Sequence, residues 1–239
     1  MVMSAVDAGV HHALSVLRGR IAAAAERAGR DPAGITLIAA TKTVAPERIV
    51  EVVAAGVRDL GENRVQEAVA KRPQLPADVR WHLIGHLQTN KAGRAAAIFD
   101  TVHSVDGERI AAALDARRPP ELSPLEVLLE VELTGLPGHT GYRPEDLVAA
   151  VDAVAARERL RILGLMTMAA PVDDPELARP YFRRLRELRD QVEERTGRRL
   201  PALSMGMSDD FEVAVEEGAT MVRVGRALFG ARPPRTPRP

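Results

Sequence analysis

Ile35-Thr36-Leu37-Ile38-Ala39-Ala40-Thr41-Lys42 is a short apolar run that ends on a lysine. Its length and β-branched content suit a buried strand. Of 33 basic side chains only Lys42, Lys71 and Lys91 are lysines; the rest are arginine. A sequence this biased keeps lysine for positions that a generic positive charge does not fill. A desolvated lysine amine loses its proton and attacks a carbonyl, which a guanidinium does not. Alternation places Lys42 on the face of Ile38 and Ala40, pointing into whatever those residues line. Two readings stand: a Schiff-base residue at a strand tip, or a lysine that closes a strand and reaches out to water.

Seven similar runs follow. Strands are expected at residues 35–42, 59–63, 80–86, 101–105, 126–133, 161–168, 202–205 and 221–225. Helices are expected between them, at 46–55, 65–72, 90–98, 107–117, 144–157, 179–196 and 209–217. Pro46 and Pro144 suit first helical turns. Ser208-Asp209-Asp210, with Glu212 three residues after Asp209, reads as a capping box. A further amphipathic helix at 6–28 carries Val10, Leu14, Leu17 and Ile21 on one stripe. Alternation of this kind predicts a single (β/α)8 TIM-type barrel with an extra N-terminal helix. A doubly wound open sheet is the alternative. The proline-rich stretch 117–124 is expected to be a surface loop and not a linker. The expected organisation is therefore one domain over 1–230, followed by a Pro/Arg-rich disordered tail at 231–239.

Net charge is zero, which argues against a nucleic-acid partner. The lack of cysteine excludes disulfides and thiol catalysis. Neither a membrane-length apolar segment nor a signal peptide is evident, so a cytoplasmic protein is expected. Arginines between 183 and 199 interleave with acids, as on a solvated helix face with local ion pairs.

In a barrel the chemistry lies at the C-terminal ends of the strands. Those ends carry Lys42, Asn63, His86, Ser204, Gly206, Arg223, Gly225 and Arg226. Ser204 and Gly206 offer a hydroxyl and open backbone N–H groups after strand seven. Gly225 permits close approach after strand eight, and a short helix is expected at residues 226–229, a common phosphate-binding arrangement. Arg223 is expected on the inner face, bound either to a ligand or to an internal carboxylate such as Glu62. His82 and His86 share a strand face but lack a third ligand, so no metal is expected. His82 suits a core role, and His86 a hydrogen-bonding one.

Thr41-Lys42-Thr43, Gly61-Glu62-Asn63, Trp81-His82-Leu83-Ile84-Gly85-His86-Leu87-Gln88-Thr89-Asn90-Lys91, Gly164-Leu165-Met166-Thr167-Met168, Leu203-Ser204-Met205-Gly206-Met207-Ser208-Asp209-Asp210-Phe211 and Met221-Val222-Arg223-Val224-Gly225 follow in order. With these segments the chain resembles the pyridoxal phosphate homeostasis protein family, from about residue 35 to 230. The resemblance implies a barrel like the N-terminal domain of alanine racemase, with pyridoxal phosphate bound covalently. It implies Lys42 as the aldimine lysine. It implies Ser204, Gly206, Gly225 and Arg226 as the phosphate cup, Arg223 at the pyridine nitrogen, and Asn63 and His86 beside the ring. Two departures are visible. Arg226 stands where many relatives have Thr or Ser, and His139-Thr140-Gly141 stands where they often have Lys-Ser-Gly.

The resemblance implies a carrier that maintains vitamin B6 homeostasis without catalysis and passes the cofactor to apo-enzymes. A racemase-like enzyme is the alternative, and it needs a second base. The only tyrosines, Tyr142 and Tyr181, are not expected at strand tips. A phosphate-metabolite barrel enzyme would leave Lys42 unexplained. A monomer is expected, since the domain that racemases add for dimerisation is missing.

Overall fold

The computed structural model describes residues 5–230; the tail expected at 231–239 lies outside them. Eight parallel strands close into a barrel in sequence order. They are β1 (Thr36–Ala40), β2 (Asp59–Glu62), β3 (Arg80–Leu83), β4 (Thr101–Val105), β5 (Leu125–Glu130), β6 (Leu160–Met166), β7 (Ala202–Ser204) and β8 (Met221–Val224). The pairing of β1 with β8, with Ile38 opposite Arg223, excludes the open sheet. Around the barrel run α1 (Ala5–Arg27), α2 (Pro46–Ala54), α3 (Val65–Lys71), α4 (Ala92–Ile98), α5 (Glu108–Asp115), α6 (Leu147–Ala155), α7 (Arg179–Thr196), α8 (Phe211–Glu216) and α9 (Arg226–Phe229).

The main core lies between strands and helices, where Leu60, Trp81, Val127, Leu165 and Val222 meet helical residues such as Ile49, Leu114 and Phe182. The expected stripe of α1 is buried, and this helix packs against α8, α9 and α2. Inside the barrel the apolar filling is small: Ile38, Leu128, Met166 and Ala202, with Leu163 and Met221 partly buried. The rest of that space holds polar side chains, and these build the site.

Three local expectations change. Asp210 stands at the N-cap position of α8, but its carboxylate accepts from Met207 N at 2.6 Å and makes no capping bond. Glu212 is taken by Arg20 of α1, which also lies over the Phe211 ring at 4.7 Å. A tertiary ion pair thus displaces the capping box. On α7, local pairs such as Arg184–Glu187 exist, but Arg179, Arg183 and Arg186 converge instead on buried Glu217 beyond α8. The loop 117–124 is pinned from inside by Arg118, which donates to Ser123 O and Phe99 O at 2.9 and 3.1 Å.

Candidate functional site

β1 ends at Ala40, and the chain continues through Thr41 and Lys42 into the barrel mouth. There Lys42 lines a cavity of about 410 Å³ together with Asn63, Arg223, Gly225 and Arg226. Val44, Ile84, Met168, Met207 and Phe229 supply its apolar wall. The folding of β1, β2 and β8 side by side thus gathers five of the residues singled out from sequence.

The backbone around Lys42 is held from behind. Lys71, on α3, donates to Thr41 O at 2.8 Å and to Glu62 Oε1 at 2.6 Å. Thr41 Oγ1 donates to the same carboxylate at 2.7 Å. Glu67 Oε2 accepts from Thr43 N at 3.0 Å. Thr43 has φ +64°, and it is the only non-glycine residue among those described with a positive φ. A β-branched residue in that region is strained, by about 1–3 kcal/mol. The acids and Lys71 hold both neighbours of Lys42 in place against that strain. Burial pushes the Glu62 carboxyl up, opposed by its bonds from Lys71 and Thr41.

Arg223 rises from β8 into the cavity floor and is almost fully buried. Its acceptors are Ser204 Oγ at 2.6 Å and Thr167 O at 3.0 Å. Glu62 is not among them, so the pairing considered from sequence is replaced by a hydroxyl and a carbonyl. Burial lowers the guanidinium to about 10, partly offset by Asp210 and Glu130, so it stays charged at neutral pH.

Asn63 reaches the cavity because Gly85 has no side chain: a Cβ there would lie 2.5 Å from Asn63 O. Its Oδ1 is buried with no hydrogen-bond partner among the described residues.

Ser204 and Gly206 support the cavity from below and behind. The Ser204 hydroxyl is buried and engaged by Arg223 and by His103 Nδ1, the latter at 2.8 Å. Gly206 turns the chain at φ +91°, where a Cβ would lie 2.5 Å from Ala214 Cβ. That turn sends Ser208 to the cavity wall. The backbone N–H groups of Gly225 and Ala227 both point at Ser208 Oγ, each at 3.4 Å. These are long bonds, readily exchanged for a better acceptor. Arg226 pairs with Asp209 across the rim. Sequence reasoning spent Ser208 on the helix cap; the available signal was its place two residues past the turning glycine.

His86 faces elsewhere. It lines an adjacent cavity of about 740 Å³ with Asp106, Arg109 and Thr140, and its Nδ1 lies 3.1 Å from Asp106 Oδ2. The larger cavity opens between the loops after β3, β4 and β5 and contains no lysine. His139 folds into its own loop, 3.0 Å from Thr134 Oγ1.

Two buried groups at the end of β5 were not foreseen. Glu130 is 4% exposed with Oε2 unpartnered among the described residues. Burial and the Asp106 charge push it up to about 7, against the pull of Arg223. Tyr142 pairs by backbone with Val131 and so does stand at a strand tip, unlike the expectation. Its hydroxyl, also unpartnered, is pushed up to about 12 by burial and by Glu108 and Asp106. It does not line the Lys42 cavity.

No cluster of three or more His, Asp or Glu side chains able to hold a metal occurs among the described residues. Among them, too, no helix is long and apolar enough to cross a membrane.

A family model for the alanine racemase N-terminal domain matches residues 13–233. A pyridoxal phosphate homeostasis protein of Pseudomonas aeruginosa is 46% identical over 221 residues, covering 92% of this chain and 94% of that one. PipY of Synechococcus elongatus, solved without and with PLP, superposes with TM-scores of 0.83 and 0.81. It is 37% identical, and the match covers 92% of this chain and 100% of PipY. An alanine racemase of Corynebacterium glutamicum shares the fold at TM-score 0.68 and 19% identity, covering 95% of this chain and 62% of the racemase.

Proposed function

The chain belongs to the pyridoxal phosphate homeostasis protein family, built on an alanine racemase N-terminal domain, and from that premise we propose its activity. It holds pyridoxal phosphate covalently on Lys42, as a Schiff base, and serves vitamin B6 homeostasis as a carrier without turnover. The observation that carries this reading is one cavity shared by Lys42, Arg223 and the Ser208–Gly225 wall.

The residues fit the group. A phosphate is a stronger acceptor than a serine hydroxyl for the N–H groups of Gly225 and Ala227, which share Ser208 Oγ at 3.4 Å. Arg226 adds charge at that wall once it leaves Asp209. The unpartnered Asn63 Oδ1 offers an acceptor at the side of the cavity, and Ile84 and Met168 offer apolar cover for a ring. When bound, the cofactor supplies an aldehyde for the Lys42 amine and an aromatic ring able to withdraw electrons.

Arg223 bears on that second property. A charged guanidinium opposes protonation of a ring nitrogen placed beside it, since the two positive charges repel. An unprotonated ring is a weaker electron sink, which suits storage better than carbanion chemistry. A racemase also needs a second base facing Lys42. Among the described residues, the one base besides Lys42 that lines this cavity is Asp209, and it is paired with Arg226 at the rim. This supports binding over racemisation.

The test is spectroscopic. Protein reconstituted with pyridoxal phosphate is expected to show the visible band of a bound cofactor, and Lys42→Ala is expected to lack it. A wild type that stays colourless after reconstitution sinks the reading. Chiral analysis of alanine incubated with the loaded protein separates carrier from racemase: inversion at enzymatic rates would replace the first with the second.

A further inference from the structure

Beneath the cavity, five polar side chains form one hydrogen-bonded line through the barrel interior. Arg223 Nη1 donates to Ser204 Oγ at 2.6 Å, and Ser204 Oγ lies 2.8 Å from His103 Nδ1. His103 Nε2 lies 2.9 Å from His82 Nδ1, and His82 Nε2 lies 2.9 Å from Asp59 Oδ1. The line crosses from β8 through β7, β4 and β3 to the first residue of β2. Arg223, Ser204, His103 and His82 are buried, while Asp59 is partly exposed beside a third cavity, lined also by Arg18 and Arg58. It therefore links the floor of the Lys42 cavity to the opposite end of the barrel.

With both rings neutral and Asp59 ionised, donor and acceptor chemistry assigns every proton in it. A guanidinium only donates, so Ser204 Oγ accepts from Arg223. The single hydroxyl hydrogen of Ser204 then goes to His103 Nδ1. His103 must carry its proton on Nε2 and donate to His82 Nδ1. His82 in turn carries its proton on Nε2 and donates to the Asp59 carboxylate. The reverse order requires either a protonated Asp59 or a doubly protonated His82, and turns the Ser204 hydrogen away from His103. A second proton on one ring keeps the line connected but makes His103 Nδ1–H the donor to Ser204 Oγ or leaves Asp59 facing an imidazolium; protons on all four ring nitrogens set two N–H groups against each other and break it. Consistently, burial holds His103 well below the usual histidine range, with His82 and Arg223 acting the same way.

We propose that Asp59, His82 and His103 are positioning residues for Arg223, a line of one-way hydrogen bonds that fixes the plane of its guanidinium in the cavity floor. With Nη1 committed to Ser204 and Nη2 to Thr167 O, the remaining N–H groups take a set direction. The effect on cofactor binding rests on the function proposed above; the line itself does not.

Long-range proton–nitrogen NMR on histidine-labelled full-length protein without cofactor reads the tautomers directly. Both buried histidines are expected neutral and protonated on Nε2. An Nδ1–H tautomer or an imidazolium at either position in the wild type overturns the proposal. Asp59→Leu, which lies outside the cavity, is expected to speed hydrogen exchange of the Arg223 guanidinium and to weaken pyridoxal phosphate binding roughly five-fold. Asp59→Asn keeps an acceptor oxygen and is expected to restore most of both. Unchanged Arg223 exchange in folded Asp59→Leu also overturns it. If that variant does not fold, the wild-type tautomers still decide. A protein that passes the tautomer test but never binds the cofactor refutes the proposed function and leaves the line intact.

Discussion

Lys42 and Lys71 stand on opposite sides of one short segment and serve opposite ends. The Lys71 amine is buried against Glu62 Oε1 at 2.6 Å and Thr41 O at 2.8 Å, and its charge is answered on the spot. Lys42 opens on the cavity that also holds Arg223. In one case the compact ammonium acts as a structural plug, where a planar guanidinium has a different shape to fit. In the other, the proposed role draws on the ability of an amine to become a nucleophile. Scarcity of lysine marked both residues, and only their surroundings tell them apart.

The two lysines are expected to differ most in what their loss does to cofactor binding. Lys42→Ala is expected to lose covalent cofactor binding completely, read as loss of the visible band, while thermal unfolding of the cofactor-free protein changes little. Lys71→Met is expected to do the reverse: it leaves Glu62 buried without its partner and costs about 3–5 kcal/mol in denaturant unfolding. That loss should be greater at pH 8 than at pH 5, because an unpaired buried carboxyl resists ionisation.

Glu130 is a buried carboxyl with no lysine partner, as Glu62 would be without Lys71. Its carboxyl is raised to about 7, above its unfolded value near 4.5. The folded state then keeps a proton that the unfolded state gives up. The associated stability is fully present below pH 4.5 and is lost as pH rises through about 7. Glu130→Gln is expected to stabilise the protein by up to about 3 kcal/mol at pH 8 and by nothing measurable at pH 4, in paired urea titrations. The smallest effect belongs to the exposed rim. Arg226→Ala is expected to change stability by less than about 0.5 kcal/mol, yet to weaken pyridoxal phosphate binding several-fold in an equilibrium titration.

The barrel was legible because its strands are short apolar runs with sharp boundaries. Their expected ends overran by a few residues, as at 80–86 against Arg80–Leu83, because the chain stays extended past the ladder: Ile84 N still donates to Glu62 O. Lys42, Asn63, Arg223, Gly225 and Arg226 came together as strand order predicts. Ser208 was hidden by a plausible local motif that Arg20, almost two hundred positions away, disrupts. His86 lines a different cavity from Lys42 and lies against Asp106, which spacing within 80–86 does not reveal. His103 was more accessible: alternation within 101–105 and adjacency to the His82 strand place both rings inside the barrel.

The closure of β1 against β8 gives the site a schedule. Lys42 follows the first strand and Arg223 lies in the last, with Ile38 and Arg223 in register across the seam. During synthesis the two halves of the cavity are separated by most of the chain, so no competent pocket exists until the final strand emerges and docks. Such distant pairing forms late and slowly, after its loop-closure entropy has been met. A cofactor held across that seam, as proposed, would act as a clasp: if it binds the closed barrel alone, mass action stabilises closure in proportion to the logarithm of its free concentration well above Kd. The cell's cofactor supply would thus be registered in how firmly the ring stays shut.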